Sequence, residues 1–210
     1  MFQGWDTGSE LTRIKICGLT RAMDAEVAIH EGADALGFIF ERSSPRFVGN
    51  GELRWISALP PIPVKIAVFG KVDRPVPRGL FDVIQGVEWE MFPEPSPKRI
   101  HVIRPQPGQS ARDLMNTMIH ATAVLLDAYS PDRYGGTGQR VDIELAKEVV
   151  KDSRIPVLLG GGLTPENVGD IVREVRPFGV DVSSGVEERP GVKDHVKIRD
   201  FIQAVHGALR

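Results

Sequence analysis

One cysteine, Cys17, stands among 210 residues. An intrachain disulfide is thereby excluded, and a cysteine-built zinc site has nothing to form from. That usage fits a reduced, cytoplasmic setting. An excess of either charge is also lacking: 26 Lys and Arg face 28 Asp and Glu, a formal net charge of −2. Such a balance argues against nucleic acid or an anionic membrane as partner. Aromatic residues make up only 7%, and Trp5, Trp55 and Trp89 are scattered, with no stripe for stacking bases. No apolar run approaches the ~20 residues that span a bilayer. Residues 1–10 carry Asp6 and Glu10 and lack the positive start and apolar stretch of a signal peptide. Residues 1–12 read as a short extension, and 13–210 as one domain.

Turn formers are abundant. With 22 glycines and 16 prolines, the chain exceeds the usual ~12% share, which argues against a coiled coil or plain bundle. Eight short apolar runs recur: Ile14–Cys17, Ala35–Phe40, Val64–Phe69, Val83–Gln85 (the weakest), Ile100–Ile103, Ala123–Leu126, Pro156–Leu159 and Val180–Val182. Near-continuous runs of this kind suit parallel strands buried on both faces. Helical spacing lies between several of them. Val168, Ile171, Val172 and Val175 form one stripe behind Thr164-Pro165-Glu166, a capped start. Further helices are expected around Ala22–Ile29, from Ser110 over 111–117, around Leu145–Val150, and over Ile198–Leu209. The crossovers 73–81 and 91–99 carry proline at alternate positions and should be irregular.

Strict β-then-α order allows a closed (β/α)8 barrel or an open doubly wound sheet. No G-x-G-x-x-G follows the first run, and the last run leads into Ser183-Ser184-Gly185. Barrels often bind phosphate after strands seven and eight, so the α/β class resolves to the TIM barrel, with irregular or missing helices after strands 3 and 4. Barrel chemistry sits where strands end. Cys17 ends the first run; it is either a packed small hydrophobe or a thiolate base or nucleophile with modest help from its neighbours. Asp127 ends the sixth, as an ion-pair partner or cap, or as a partly buried general acid. Gly160-Gly161-Gly162 and the Ser-Ser-Gly turn can cradle a phosphate with backbone N–H groups. Tyr134–Gly138 lacks the lysine of a Walker motif and reads as a loop beside the site. Arg46 can grip a carboxylate with two bonds or lie in solvent. His30, His120, His195 and His206 show no metal-ligand spacing.

The ordered fragments Lys15-Ile16-Cys17-Gly18-Leu19-Thr20, Gly32–Phe38, Ser44-Pro45-Arg46, Leu125-Leu126-Asp127, Tyr134–Gly138, Gly161–Val168, Arg176–Glu187 and Pro190–Asp194 together resemble the phosphoribosylanthranilate isomerases of tryptophan biosynthesis. The resemblance implies a TIM barrel and an Amadori rearrangement of N-(5-phosphoribosyl)anthranilate, without metal or organic cofactor. It carries the general base onto Cys17 and the general acid onto Asp127. It puts the anthranilate carboxylate near Arg46 and the phosphate on the backbone of Gly161, Gly162, Ser184 and Gly185, with Asp181 facing the sugar and Gln85 and Ser183 also among the substrate-binding residues. The fourth strand departs from the family's Val-Gln-Leu-His-Gly: Gln85 matches, and Gly86-Val87 replace Leu-His. Missing helices over strands three and four should leave an apolar patch, covered by a second subunit in a homodimer or by the extension with Phe2 and Trp5. Two other readings are a bifunctional sugar-phosphate isomerase, which generally uses paired aspartates, and a non-catalytic barrel that binds a phosphorylated ligand.

Overall fold

The computed structural model describes residues 11–49, 53–72, 79–89, 98–117, 121–127 and 142–208. Eight parallel strands close into a barrel in sequence order. They are β1 (Arg13–Cys17), β2 (Ala35–Ile39), β3 (Val64–Val72), β4 (Val83–Trp89), β5 (Lys98–Ile103), β6 (Ala123–Leu126), β7 (Val157–Leu159) and β8 (Gly179–Val182). Each apolar run is one strand. The weak fourth run is in fact seven residues long and pairs with β3 from Val83 to Trp89. Gln85 and Gly86 break its apolar pattern without breaking its alternation.

Alternation sorts the side chains. In β1, Ile14 and Ile16 face outward into a core that holds Ala25, Ala28, Val168, Val172, Ile198 and Phe201. Arg13, Lys15 and Cys17 share the opposite face. The barrel interior is filled by Ala35, Ile66, Val83, Ile100, Val102, Ala123, Leu125 and Leu158. Layers of this kind make a packed core rather than a pore.

The helices are α1 (Ala22–Glu31), α2 (Arg54–Ala58), α3 (Ala111–Met115), α4 (Ile143–Asp152), α5 (Pro165–Val175) and α6 (His195–Gly207). Ser110 opens α3 with a reciprocal box to Asp113. Asp142 and Asp194 cap α4 and α6 by accepting from backbone N–H groups. The sequence pattern misses α2, which is too short for periodicity. It also misses the hairpin of β9 (Glu187–Arg189) and β10 (Val192–Lys193). Gly191, at φ 82°, makes that hairpin's turn.

All five prolines of the two crossovers expected to be irregular lie at 73–78 and 90–97, outside the described residues, as do residues 1–10 and the loop 134–138. The expected apolar patch is not found among the described residues. Phe69, Val72 and Ile84, on the outer face of β3 and β4, are at most 3% exposed. Aromatic rings pack there. Phe81 lies 5.9 Å from Phe38 and 5.4 Å from Phe40, Phe40 stacks on Phe69, and Trp55 of α2 meets Phe38 edge-on at 5.6 Å. Large apolar residues that remain exposed, Leu11, Met23, Ile62 and Val196, are scattered.

One carboxylate ties the first helix to the last. Asp24 of α1 is fully buried and accepts from Arg21 Nε and Nη2 at 2.9 and 2.6 Å, and from the Lys193 N–H at 3.2 Å. His195 Nε2 is 2.9 Å away. Burial works to raise its pKa, yet the bonds from Arg21 and His195 outweigh it and hold Asp24 below its usual value. A depressed carboxylate contributes stability that is present above the unfolded pKa of ~3.9 and lost as pH falls through the folded value. Asp24→Ala should therefore cost about 3 kcal/mol in denaturant melts at neutral pH and less in acid. Unchanged stability at neutral pH would remove Asp24 from this role.

Candidate active site

The C-terminal ends of the strands open on a cavity of about 700 Å³. Cys17, Arg46, Gln85, Asp127, Gly161, Gly162, Asp181, Ser183, Ser184 and Gly185 all line it. Inward alternation brings Cys17, Gln85 and Asp181 there from β1, β4 and β8, and Asp127 follows the last inward residue of β6. All ten residues singled out in the sequence thus share one cavity.

At one wall, β1 and β8 are in register with Lys15 beside Asp181. Lys15 Nζ lies 2.6 Å from Asp181 Oδ1, and the Lys15 side chain is only 1% exposed. Burial works to strip its proton, but the charge of Asp181 and the hydrogen bond to it outweigh that and raise its pKa. Lys15 is therefore a buried ammonium. Cys17, two residues on, lies on the same face and is 5% exposed. Both side chains occupy space that only glycine at position 37 leaves open. A Cβ on Gly37 would sit 2.7 Å from Cys17 Sγ and 3.1 Å from Lys15 Cε.

The thiol differs from its expected state. Burial pushes the Cys17 pKa up, with the nearby ammonium of Lys15 working to lower it. The net direction is upward, whereas the sequence suggested help toward ionisation. The cause is the dry interior, which disfavours thiolate more than one lysine already paired with Asp181 favours it.

Asp127 stands with Arg104, whose Nε is 3.5 Å from Asp127 Oδ2. The ion-pair reading of Asp127 is met, and the same carboxylate lines the cavity. Arg46 is not a solvated arginine. It is 9% exposed and pairs with Glu187 through two bonds, Nε to Oε1 at 2.8 Å and Nη2 to Oε2 at 2.7 Å.

The far end is made of turns. Gly161 and Gly162 have φ of 83° and 65°, values that favour glycine. Asn167 of α5 accepts from the Thr164 N–H and donates to the Gly162 carbonyl, both at 2.9 Å. A short 3-10 turn over Ser184–Val186 follows β8. The two turns touch, because a Cβ at Gly185 would fall on the Leu163 carbonyl. Ser183 Oγ and Gln85 Oε1 are buried with no hydrogen-bond partner, so both are available to a bound molecule. Val87 lines the cavity on the departed fourth strand.

Four residues of this constellation escaped the sequence reading: Lys15, Arg104, Glu187 and Lys193. Arg104 follows the fifth run just as Asp127 follows the sixth, so the same rule finds it. Lys15 carries the inward parity of Cys17. Nothing local marks Glu187 or Lys193. Among the described residues, no three His, Cys, Asp or Glu group as a metal site would need. His195 is spent on Asp24, His30 and His206 lie in helices, and His120 is outside the described residues.

The family model described as N-(5'phosphoribosyl)anthranilate (PRA) isomerase matches residues 14–204. An N-(5'-phosphoribosyl)anthranilate isomerase of Chlorobaculum tepidum is 40% identical over 95% of this chain and 97% of its own length. Two solved structures, each with TM-score 0.75 and 31% identity, cover 94% of this chain and 100% of theirs. One is a phosphoribosylanthranilate isomerase in complex with reduced 1-(o-carboxyphenylamino)-1-deoxyribulose 5-phosphate. The other is of monomers generated from the dimeric enzyme of Thermotoga maritima.

Because Cys17 is the sole cysteine, its rate of alkylation by iodoacetamide as pH is varied reports one thiolate alone. The titration midpoint should lie above the ordinary ~8.5 and move higher still in Lys15→Met. A midpoint below that value, or one that falls in the variant, would overturn this electrostatic reading.

Proposed function

Because the chain belongs to the N-(5'-phosphoribosyl)anthranilate isomerase family, an intramolecular aldose–ketose isomerase, we propose roles for its cavity residues in the rearrangement of N-(5-phosphoribosyl)anthranilate in tryptophan biosynthesis. Asp127 protonates the ribose ring oxygen. The C1′–O bond breaks, the nitrogen lone pair forms a C1′ iminium, and Arg104 offsets the carboxylate charge left on Asp127. The iminium acidifies the C2′ proton. Cys17, as thiolate, takes that proton, and the electron pair flows toward the nitrogen to give an enolamine. Tautomerisation yields the C2′ ketone, 1-(2-carboxyphenylamino)-1-deoxyribulose 5-phosphate. The substrate nitrogen is the electron sink, so these steps use only the chain's acid and base.

Lys15 stabilises the thiolate when it forms, and Asp181 both anchors Lys15 and faces the sugar. Arg46 holds the anthranilate carboxylate. Gln85, with its bare acceptor oxygen, takes a donor from the substrate. Gly161, Gly162, Ser183, Ser184 and Gly185 hold the phosphate.

One observation carries this reading: a thiol beside a buried ammonium and a carboxylate beside an arginine line the same cavity as two touching glycine turns. A barrel that only bound a ligand would have no use for that acid–base pair. A bifunctional enzyme would be expected to carry an aspartate where Cys17 stands. The proposal includes a cytoplasmic setting, no nucleic-acid partner and, on the strength of the dimeric relative, a homodimer. No described helix is long and apolar enough to cross a membrane.

Cys17→Ala and Asp127→Asn should each lower kcat by ~10²-fold or more, followed by loss of substrate fluorescence. Turnover near wild type in either variant would sink its assignment. Sedimentation over a wide concentration range should show a dimer, and a monomer throughout would strike that part of the proposal.

A further inference from the structure

A guanidinium carries five N–H donors, enough for two forks, one along its Nε side and one at its Nη end. Glu187 occupies the first: Arg46 Nε and Nη2 reach its two oxygens at 2.8 and 2.7 Å. The end-on fork, from Nη1 and the second Nη2 hydrogen, is left over. Arg46 lines the cavity, whereas Glu187 is not among the lining residues.

Glu187 is itself held. Its Oε1 accepts from the Gly191 N–H at 3.3 Å and from Lys193 Nζ at 3.0 Å, and Lys193 Nζ also donates to the Ser183 carbonyl at 3.0 Å. The stem of Arg46 is confined as well. A Cβ at Gly18, where φ is 73°, would lie 2.6 Å from Arg46 Cδ and 2.8 Å from Ser183 Oγ. A long side chain that would otherwise sample many rotamers is thus fixed at its tip and along its stem.

We propose that Glu187 is a positioning residue, which holds Arg46 by its Nε side so that its Nη end presents two parallel donors to the substrate's aromatic carboxylate. Lys193, anchored in turn on the Ser183 carbonyl, fixes Glu187 from the side away from Arg46. The β9–β10 hairpin is the frame for this, since it supplies both Glu187 and Lys193. The inference rests on the reading of Arg46 as the holder of that carboxylate.

The test compares two substrates: N-(5-phosphoribosyl)anthranilate, and N-(5-phosphoribosyl)aniline, which lacks the carboxylate. Glu187→Gln should raise KM for the first by ~10-fold, with a smaller change in kcat. It should leave the aniline compound within about 2-fold of wild type, and the double variant with Arg46→Ala should be no worse than Arg46→Ala alone. Glu187→Asp, which keeps the charge but shortens the reach, should show the same dependence on substrate and carries the comparison if Glu187→Gln does not fold. Equal losses on both substrates, or losses that multiply in the double variant, would overturn the proposal. If Arg46→Ala itself harms both substrates equally, the reading of Arg46 falls and this inference with it. If Arg46→Ala is selective and the Glu187 variants are not, only this inference falls.

Discussion

Burying an ammonium inside a barrel is costly, and the site is arranged around the one at Lys15. The register of β1 against β8 puts Asp181 directly beside it. Without that carboxylate the lysine would lose its proton rather than stay charged in a dry interior. With it, Lys15 is a fixed positive charge two residues below Cys17. The barrel's alternation does the rest, since any residue two steps from Lys15 on β1 must share its face. Gly37, opposite Cys17 on β2, leaves the volume that both side chains need.

The same device recurs around the cavity. Asp127 stands beside Arg104, and Arg46 beside Glu187. Each charged side chain proposed to act on the substrate is thus next to an opposite charge that is at least largely buried. Such pairs are poor sources of net stability, because desolvation consumes much of the Coulombic gain. Their value is orientation, as a paired charge in a packed wall has few alternative positions. Since the pairs are close to neutral, affinity for an anionic substrate must come from what they leave unpaired. That is the end-on fork of Arg46 and the backbone of the two touching turns.

Much of the fold is legible from pattern alone. Eight apolar runs became eight strands because parallel strands buried on both faces need near-continuous apolar sequence. Caps at Ser110 and the Thr164-Pro165 start marked helices correctly because capping is local chemistry. What failed was non-local. The hairpin bearing Glu187 and Lys193 contains almost no apolar alternation, and α2 is a single turn and a half. Over β3 and β4 the rings of Phe38, Phe40, Phe69, Phe81 and Trp55 pack on one another, an aromatic layer that no periodicity marks, while the extension with Phe2 and Trp5, expected as a cover there, lies outside the described residues. Lys15 reads as a surface residue until its strand is known to face inward beside Asp181. The direction of the Cys17 pKa likewise depends on burial, which no motif encodes.

The relation between Lys15 and the Cys17 base is tested most directly by the pH dependence of kcat/KM in Asp127→Asn, whose acid no longer titrates, with and without Lys15→Met. With Lys15 in place, the logarithm of kcat/KM should rise with pH at a slope of about 1 from neutrality into the alkaline range, following the thiolate fraction. With Lys15→Met added, that limb should move to higher pH. A flat profile, or a limb that stays in place when Lys15 is removed, would contradict it.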